Sequence, residues 1–504
     1  MSAPSGVQFP ADPSGRRSTT ETSKTLLSAA LEATHPEAAR AVREERNWRQ
    51  RYPVHLRAML EHSLARPRDT VAIARAGLDA ARRELEFLRD GRKLTLDEAT
   101  ASPSAPGLRT VEVTGVDRSA PARWEVPYKG RQLSGDALLA QLDDWVKRGV
   151  MEASAAEALR QVQRNPDWLD LSDRTQVLLG AASEAGPLAW LLRWRANVVA
   201  VDLKRPDIWE KIVAWTRAGN GRLLAPLPAA RSSAGDGDFA SWRSEVGCDL
   251  LTDTPEIAAW LSAMEGPLDI ASLAYLDGER HLRVTMAMDS IVTRVSCVKP
   301  GTSLAYMATP TDLFAVPEEV AHGVMDEYAR RSVGKRLGQA VARGGSGGRL
   351  FQPGIERLIQ SEEGRSYGIV DCLILQQGPS YALAKRAQQW RALVARADGQ
   401  TVSLNVAPST ATRSVVKNPA LAAGFRGAHA FGVEVFEPAT TNALMAAMWV
   451  HDLRNPKSSA YPDTPLRHPL ELLMQGANHG GMWRIPYTPR SVLPFAALLG
   501  LVRR

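Results

Sequence analysis

From about residue 171 onward, the sequence alternates short apolar runs, rich in leucine and β-branched residues, with longer helical stretches. This alternation is typical of βαβ units, in which helices connect parallel strands and cover the faces of the sheet. The pattern therefore predicts an α/β fold around a parallel sheet over residues 171–452. The predicted strands are QVLL, NVVAV, GRLLAPL, IASLAYL, TSLAYMA and TVSLNVA.

The segments outside residues 171–452 are predicted to be appendages to this sheet. Residues 1–21 are rich in Ser, Pro, Gly and Thr and are expected to form a disordered tail. Residues 22–104 carry amphipathic stretches such as VAIARAGLDAARRELEFLRD, which predict a helical appendage. Residues 105–170 are expected to be a connector of two short strands followed by helices. Residues 453–504 form a C-terminal extension.

The C-terminal end of the extension, SVLPFAALLGLVRR, is apolar with a basic terminus. Packing as a final core segment is the preferred interpretation, and peripheral contact with a membrane surface or a partner is the alternative. No run of about 18 apolar residues predicts a transmembrane helix. The N-terminus also lacks the apolar core of a signal peptide.

Composition favours a cytoplasmic protein without nucleic acid or metal. The 504 residues have a formal net charge of +7, but the basic residues are scattered rather than clustered, so we expect no nucleic-acid partner. Cys248, Cys297 and Cys372 lie far apart and have no metal-ligand spacing, which fits a reducing compartment. The histidines show no metal-binding spacing either.

A glycine turn follows the first predicted strand in GAASEAG, with Gly180 first and Gly186 last. Such a turn, opening a helix predicted to begin near Gly186, lets backbone N–H groups face a pyrophosphate. Asp202 ends the second strand, where a carboxylate can accept the hydroxyls of an adenosine ribose. An S-adenosylmethionine site would show the same pairing, and so would a tightly packed turn without a ligand.

Tyr381 and Lys385 are four residues apart in GPSYALAKRAQQW, so a helix places them on one face. A neighbouring ammonium lowers the pKa of a phenol because it favours the phenolate. We therefore expect the pair to pass a proton to or from a carbonyl or alcohol oxygen. An ordinary pair on a helix surface is the alternative, since the spacing alone is weakly specific.

The order of these segments resembles the short-chain dehydrogenase/reductase family over residues 172–452. GAASEAG looks like the family's glycine motif and VVAVDL like its ribose-binding strand end. CDLLTD is similar to the segment that borders the adenine, Gly278 stands at the end of the fourth strand, and Asp289 at a relay asparagine. NVAPSTAT looks like the nicotinamide loop, and EPATTNALMAAMWVHDL like the closing helix.

This resemblance implies a Rossmann-type doubly wound parallel sheet and an oxidoreductase that interconverts a carbonyl and an alcohol with NAD or NADP. Tyr381 and Lys385 would be the catalytic pair, Thr309 or Thr311 would orient the substrate, and Asp289 would complete the proton relay. The resemblance assigns cofactor binding to Gly180, Ser183, Gly186, Asp202, Asp249, Leu250, Gly278, Tyr381, Lys385, Pro408, Thr410 and Thr412.

The sequence also departs from the family. Glu184 stands where the family has its middle glycine, and a helical insertion over residues 312–367 precedes Tyr381. The insertion is expected at the cleft mouth, as a lid or partner surface. It implies a small-molecule substrate that is bulky or lipid-like, and a homo-oligomer is a further expectation. Two alternatives stay open: an S-adenosylmethionine-dependent methyltransferase, and a degenerate dinucleotide-binding sensor or scaffold.

Overall fold

The computed structural model describes residues 5–101, 107–116, 120–230, 237–417 and 419–502. Its strands are β1 (Gly6–Gln8), β2 (Glu86–Arg89), β3 (Arg92–Thr95), β4 (Leu108–Thr114), β5 (Val126–Tyr128), β6 (Arg131–Leu133), β7 (Thr175–Leu179), β8 (Asn197–Val201), β9 (Arg222–Pro228), β10 (Asp269–Ser272), β11 (Ser303–Ala308), β12 (Leu313–Pro317), β13 (Ile359–Gln360), β14 (Ser366–Asp371) and β15 (Val402–Val406).

Helices surround and connect these strands. They are α1 (Thr19–Glu32), α2 (Pro36–Glu44), α3 (Trp48–Ala65), α4 (Pro67–Glu84), α5 (Leu96–Ala101), α6 (Gly135–Lys147), α7 (Ala153–Arg164), α8 (Leu188–Leu191), α9 (Pro206–Ala218), α10 (Phe239–Trp242), α11 (Thr254–Ser262), α12 (Arg280–Val298), α13 (Glu318–Ala329), α14 (Val333–Gly345), α15 (Gly378–Ala397), α16 (Arg413–Val416), α17 (Pro419–Gly427), α18 (Pro438–Arg454), α19 (Glu471–Met474) and α20 (Pro489–Val502).

The central sheet has the strand order β15-β11-β10-β7-β8-β9-β4. Six of the seven strands are parallel, and β4 pairs with β9 antiparallel at one edge. The parallel strands follow the order 3-2-1-4-5-6, which is Rossmann-like. The predicted α/β fold with a parallel sheet is thus confirmed, and the connector contributes the antiparallel edge strand that the sequence analysis assigned outside the sheet.

Both faces of the sheet are buried. On β7, Val177 and Leu179 belong to the core on one face, whereas Leu178 belongs to the core on the other. Helices α12 and α15 cover the first face, and α18 lies in the second core. Burial on both sides explains why the strands read as nearly continuous apolar runs.

The N-terminal segment is ordered over the residues described, which corrects the expected tail at 1–21. Strand β1 pairs antiparallel with β2, and Val7 is fully buried. Arg283 also donates a hydrogen bond from Nε to the carbonyl oxygen of Val7 (2.7 Å). Residues 1–4 lie outside the described ranges. A three-residue strand with a single apolar side chain, Val7, is too short to show a periodic signal, and pairing with a distant strand orders it.

The predicted helical region at 22–104 is helical over most of its described length, but it is part of the main core rather than an appendage. Helix α4 packs on α15, and α5 packs on α11 and α12. The region also contains β2 and β3, which form a hairpin. The first core thus joins the N-terminal helices to the sheet.

The insertion before Tyr381 is mixed rather than helical. Strands β12, β14 and β13 form a small antiparallel sheet, and α13 and α14 lie between them in sequence. The predicted range 312–367 ends too early, because β14 extends to Asp371. In the C-terminal extension, α20 packs against α17, but its residues belong to neither core, and Leu498, Leu501 and Val502 are exposed. The expected packing as a final core segment is therefore only partly met.

No helix in the described part of the chain combines the length and apolarity that crossing a bilayer requires.

The packing of α4 on α15 can be tested at Gly77. A Cβ atom at Gly77 would lie 2.4 Å from the ring of Trp390, so Gly77→Ala must displace either that buried ring or one of the helices. We expect it to lower the free energy of unfolding by about 1–3 kcal/mol in denaturant titrations. Gly338→Ala on α14 is the matched control, because nothing lies within 4 Å of that position. Equal stability of the two variants would contradict the packing.

Candidate active site

A cavity of about 520 Å³ lies at the carboxyl edge of the central sheet. Its walls come from the segments that follow β7, β8, β10, β11 and β15, together with the start of α15. From β7 the chain adds β8 and β9 on one side of the sheet and then returns to add β10 on the other side, so the strand order reverses between β7 and β10. Open α/β sheets bind ligands in the crevice outside such a switch point.

The glycine turn after β7 forms one wall, and its first glycine is required by packing. Gly180 has a φ of +93°, and a Cβ atom there would lie 2.6 Å from the backbone of Ala274. The turn and the end of β10 therefore approach each other more closely than any side chain permits. Ser183 also lines the cavity, whereas Gly186 packs behind Ser183 and lies outside the lining.

The helix predicted near Gly186 is reduced to α8, which has only four residues. It is too short to build a sizeable macrodipole, since that dipole sums over aligned peptide groups. Anion binding at this turn would consequently depend on individual backbone N–H groups.

Asp202 lies at the cavity wall, as predicted from its place at the end of β8. Its Oδ2 accepts a hydrogen bond from the backbone N–H of Ala182 (2.8 Å), and its Oδ1 accepts one from Leu203 (2.9 Å). Burial raises the pKa of this carboxyl, and the two N–H groups oppose the effect. Each oxygen keeps a second acceptor direction for a ligand hydroxyl.

Glu184 also lines the cavity, and it is paired rather than free. Its Oε2 accepts a hydrogen bond from the backbone N–H of Arg413 (2.9 Å), and its Oε1 lies 3.6 Å from the Arg413 guanidinium. The pair connects the glycine turn to the segment after β15. This contact places a carboxylate and its counter-ion at the glycine-turn side of the cavity.

Tyr381 and Lys385 lie one turn apart near the start of α15, and both line the cavity. The Lys385 ammonium is 5.9 Å from the centre of the Tyr381 ring and donates a hydrogen bond to Gln388 Oε1 (3.1 Å). The predicted shared face is thus observed, but the ammonium lies beside the ring and bonds to another partner.

Burial dominates the protonation of both groups. It raises the pKa of Tyr381 to about 12, although the hydroxyl of Thr309 opposes this. It lowers the pKa of Lys385 to about 8, with Asp312 opposing the change. The expected lowering of the Tyr381 pKa by the ammonium is therefore not observed, because desolvation raises that pKa instead. At neutral pH the phenol is protonated and the amine carries its charge.

The hydroxyls of Thr309 and Thr311 face the same cavity. Their oxygens are 2.9 Å apart, and Gln377 donates a hydrogen bond from Nε2 to Thr311 Oγ1 (3.0 Å). Of the two, Thr309 contacts the Tyr381 phenol. The structure thus pairs Thr309, rather than Thr311, with the phenol.

Of the remaining residues predicted to bind the cofactor, some line the cavity and one does not. Gly278 has a φ of +63° and lies two residues before α12, and it does not line the cavity. Thr410 donates a hydrogen bond to the carbonyl oxygen of Pro408 (2.8 Å), which holds the segment after β15 in a turn. The candidates that line the cavity with this segment are Asp249, Leu250, Pro408, Thr410 and Thr412.

Asp289 does not reach the cavity, which corrects its assignment to a proton relay. Its oxygens accept hydrogen bonds from Arg391 Nε (2.6 Å) and Nη2 (2.9 Å), and both side chains are buried between α12 and α15. The pair joins the two helices on the sheet face. The carboxylate is thus occupied by Arg391 and is not among the groups that line the cavity.

The sequence analysis missed His281, which stacks on the Tyr381 ring at 5.0 Å between centroids. The imidazole is fully buried, and within the described ranges neither ring nitrogen has a hydrogen-bond partner. Burial lowers the pKa of His281, so the ring is neutral and does not compete with Lys385 for anionic groups. A lone histidine at the start of a helix carries no sequence signal.

Asp312 was missed as well, although it is the carboxylate that acts on Lys385. It is buried and accepts hydrogen bonds from Arg386 Nη2 (3.2 Å) and Gln389 Nε2 (2.8 Å). Burial raises the pKa of Asp312, and the Arg386 guanidinium opposes the rise. The insertion thus brings a counter-charge beneath the amine from a distant part of the sequence.

The chain matches no protein-family model, no curated protein and no solved structure at a significant level. Among the residues that the structure describes, no group of three or more His, Cys, Asp or Glu side chains has the arrangement of a metal site.

The buried amine predicts a pH-dependent stability. The folded pKa of Lys385 is about 8, below its usual 10.5, so the unfolded chain binds more protons between these values. Stability therefore rises as pH increases from about 8 to 10.5, and the cost of the buried charge is fully present below pH 8. Lys385→Met should raise the free energy of unfolding by about 2–3 kcal/mol at pH 7.

The stabilisation by Lys385→Met should shrink at pH 10, as measured by urea denaturation across this range. Lys147→Met, at an exposed position, is the matched control and should show no such trend. A constant effect across the range would show that the amine is not desolvated.

Proposed function

We propose that this chain is a nicotinamide dinucleotide-dependent oxidoreductase that interconverts a carbonyl and an alcohol, with NAD or NADP as cofactor. The proposal depends on one observation: Tyr381, Lys385 and Thr309 line the same cavity as the Gly180 turn and Asp202. These groups come from segments up to two hundred residues apart, and they converge at the switch point of the sheet.

The chain's own residues fit a dinucleotide in three parts. The backbone N–H groups of residues 180–183 already donate hydrogen bonds within the protein, so a pyrophosphate would be held by those of Glu184 and Ala185. The free acceptor directions of Asp202 suit ribose hydroxyls. The segment at 407–412 lines the same cavity as Tyr381. When bound, the nicotinamide ring supplies or accepts a hydride.

Tyr381 transfers the proton at its phenol oxygen. The phenol is protonated at neutral pH, so it can donate its proton to a carbonyl oxygen. Burial raises its pKa to about 12 and thus makes it a weaker acid than a free phenol. Thr309 holds the substrate oxygen beside the phenol, and the charged amine of Lys385 stabilises the phenolate after transfer. His281 keeps the Tyr381 ring in place by stacking.

Tyr381→Phe is the direct test of this mechanism. The substitution removes the phenol oxygen but keeps the ring that stacks on His281, so it should abolish reduction while dinucleotide binding stays unchanged. Binding is measured by calorimetric titration with NADH and NADPH. Turnover is followed by the absorbance of reduced nicotinamide with a panel of aldehydes and ketones.

Tyr367→Phe is the matched control, because that phenol is buried in the inserted sheet outside the cavity lining. Undiminished reduction by Tyr381→Phe would remove the mechanism. Tight binding of S-adenosylmethionine in place of both dinucleotides would favour the methyltransferase. Tight dinucleotide binding without turnover on the whole panel would favour a sensor.

Glu184 predicts a second measurable effect. Its carboxylate lies where a pyrophosphate would bind, and it holds Arg413 by a charged contact. Glu184→Gln removes the repulsion and frees the guanidinium, so both changes favour an anion. Dinucleotide affinity should rise by about threefold to tenfold, or about 0.7–1.4 kcal/mol.

The matched control for this effect is Glu210→Gln, which breaks an exposed pair with Arg243 on the surface. It should leave the calorimetric affinity unchanged. A weaker affinity in Glu184→Gln would mean that the carboxylate supports the turn rather than opposing the anion.

A further inference from the structure

Helix α14 carries an apolar stripe that packs against nothing in the described structure. Val333, Leu337 and Val341 are 80%, 68% and 70% exposed, and no residue of the helix is buried. At 3.6 residues per turn these positions fall within an arc of about 80°. Three exposed apolar side chains in one row on a surface helix mark an interaction site rather than ordinary surface variation.

The opposite side of α14 anchors it to the protein. Gln339 donates a hydrogen bond to the Tyr487 hydroxyl (2.7 Å) and accepts one from Arg331 (2.5 Å). At 100° per residue, Gln339 lies roughly opposite the centre of the apolar row. The helix is thus held with its apolar stripe pointing away from the rest of the chain.

Basic side chains accompany the stripe. Residues 328–355 contain six Lys and Arg residues and no Asp or Glu. Arg336 and Arg343 flank the apolar row on one side, whereas Lys335 lies on the anchored side with Gln339. Among the described residues, none of these three cations is paired with a carboxylate. An apolar row beside unpaired cations is the pattern of a helix that lies in an anionic bilayer interface.

Helices α17 and α20 share with α14 a surface that is apolar and basic. Neither α14, α17 nor α20 contains an acidic residue, and residues 472–504 contain none at all. The ring of Phe351, just after α14, lies 4.6 Å from Phe495 on α20. The last turns of α20 expose Leu498, Leu501 and Val502. The three helices, together called the outer lobe, therefore present apolar and basic groups without negative charge.

The outer lobe also borders the active-site cavity. A second cavity of about 470 Å³ lies between residues 349–352, α17 and α20. Leu421 on α17 lines both this cavity and the one that contains Tyr381. A surface that rests on the outer lobe would thus lie next to a route toward the catalytic groups.

We propose that the outer lobe docks on a lipid bilayer that contains anionic phospholipids, with the apolar row of α14 inserted among the headgroups. A second copy of the same face would bring the cations together, and a nucleic acid offers nothing to the apolar row. Anionic lipid satisfies both parts of the surface. Each Lys or Arg near such a membrane adds to the attraction, and salt weakens it.

Vesicle sedimentation of the full chain tests the proposal. The protein should sediment with vesicles of phosphatidylcholine and phosphatidylglycerol, at least tenfold more tightly than with phosphatidylcholine alone, and added salt should weaken binding. Two variants should each lose at least tenfold: Val333→Ser with Leu337→Ser and Val341→Ser, and Lys335→Gln with Arg336→Gln and Arg343→Gln. All six positions are exposed, so folding should survive.

Matched controls separate the site from general surface effects. Val116→Ser removes an apolar residue that is 83% exposed elsewhere, and Arg92→Gln with Arg131→Gln and Lys147→Gln removes three exposed cations. Both should bind as the unmodified chain does. Tyr381→Phe should also bind normally, so this test is independent of the proposed chemistry.

Three outcomes would overturn the proposal. The first is an absence of binding to anionic vesicles. The second is equal binding by the apolar triple variant and the unmodified chain. The third is a dimer in light scattering that the apolar triple variant dissociates, because the row would then be covered by a second copy.

Discussion

The candidate site depends on the reversal of strand order between β7 and β10. Only at this point do two adjacent parallel strands send their following segments to opposite faces, which leaves a crevice at the carboxyl edge. The backbones of Gly180 and Ala274 approach so closely there that a Cβ atom would not fit. The same glycine that suits a ligand is thus demanded by the sheet itself, and its presence is weak support for a cofactor.

Desolvation decides the electrostatics of the cavity. Helices α1, α3 and α4 pack on α15 from outside, so Tyr381 and Lys385 contact the cavity on one side and protein on the others. Burial then favours the neutral form of each group more strongly than their neighbours favour the charged forms. The phenol therefore stays protonated as a weak acid, and Asp312 opposes the loss of charge by the amine.

Sequence reasoning located the parts of the site that follow strands or repeat on a helix. Asp202, Thr309 and Pro408 come directly after parallel strands, whose carboxyl ends meet at one edge, so their convergence could be predicted. Tyr381 and Lys385 share a face through helical periodicity. Asp289 was misplaced because its position along α12 gave no information about Arg391, a partner 102 residues away.

The sequence alone determined the α/β class, the strands of the parallel sheet and the residues at their carboxyl ends, since these follow from local periodicity and apolar runs. Only the tertiary structure decided the pairing of β1 and β4, the stacking of His281 on Tyr381, the counter-charge of Asp312 and the exposure of α14. Each of these features depends on contacts between segments that are distant in sequence. Long-range packing and desolvation determine such contacts, and neither produces a periodic pattern in the sequence.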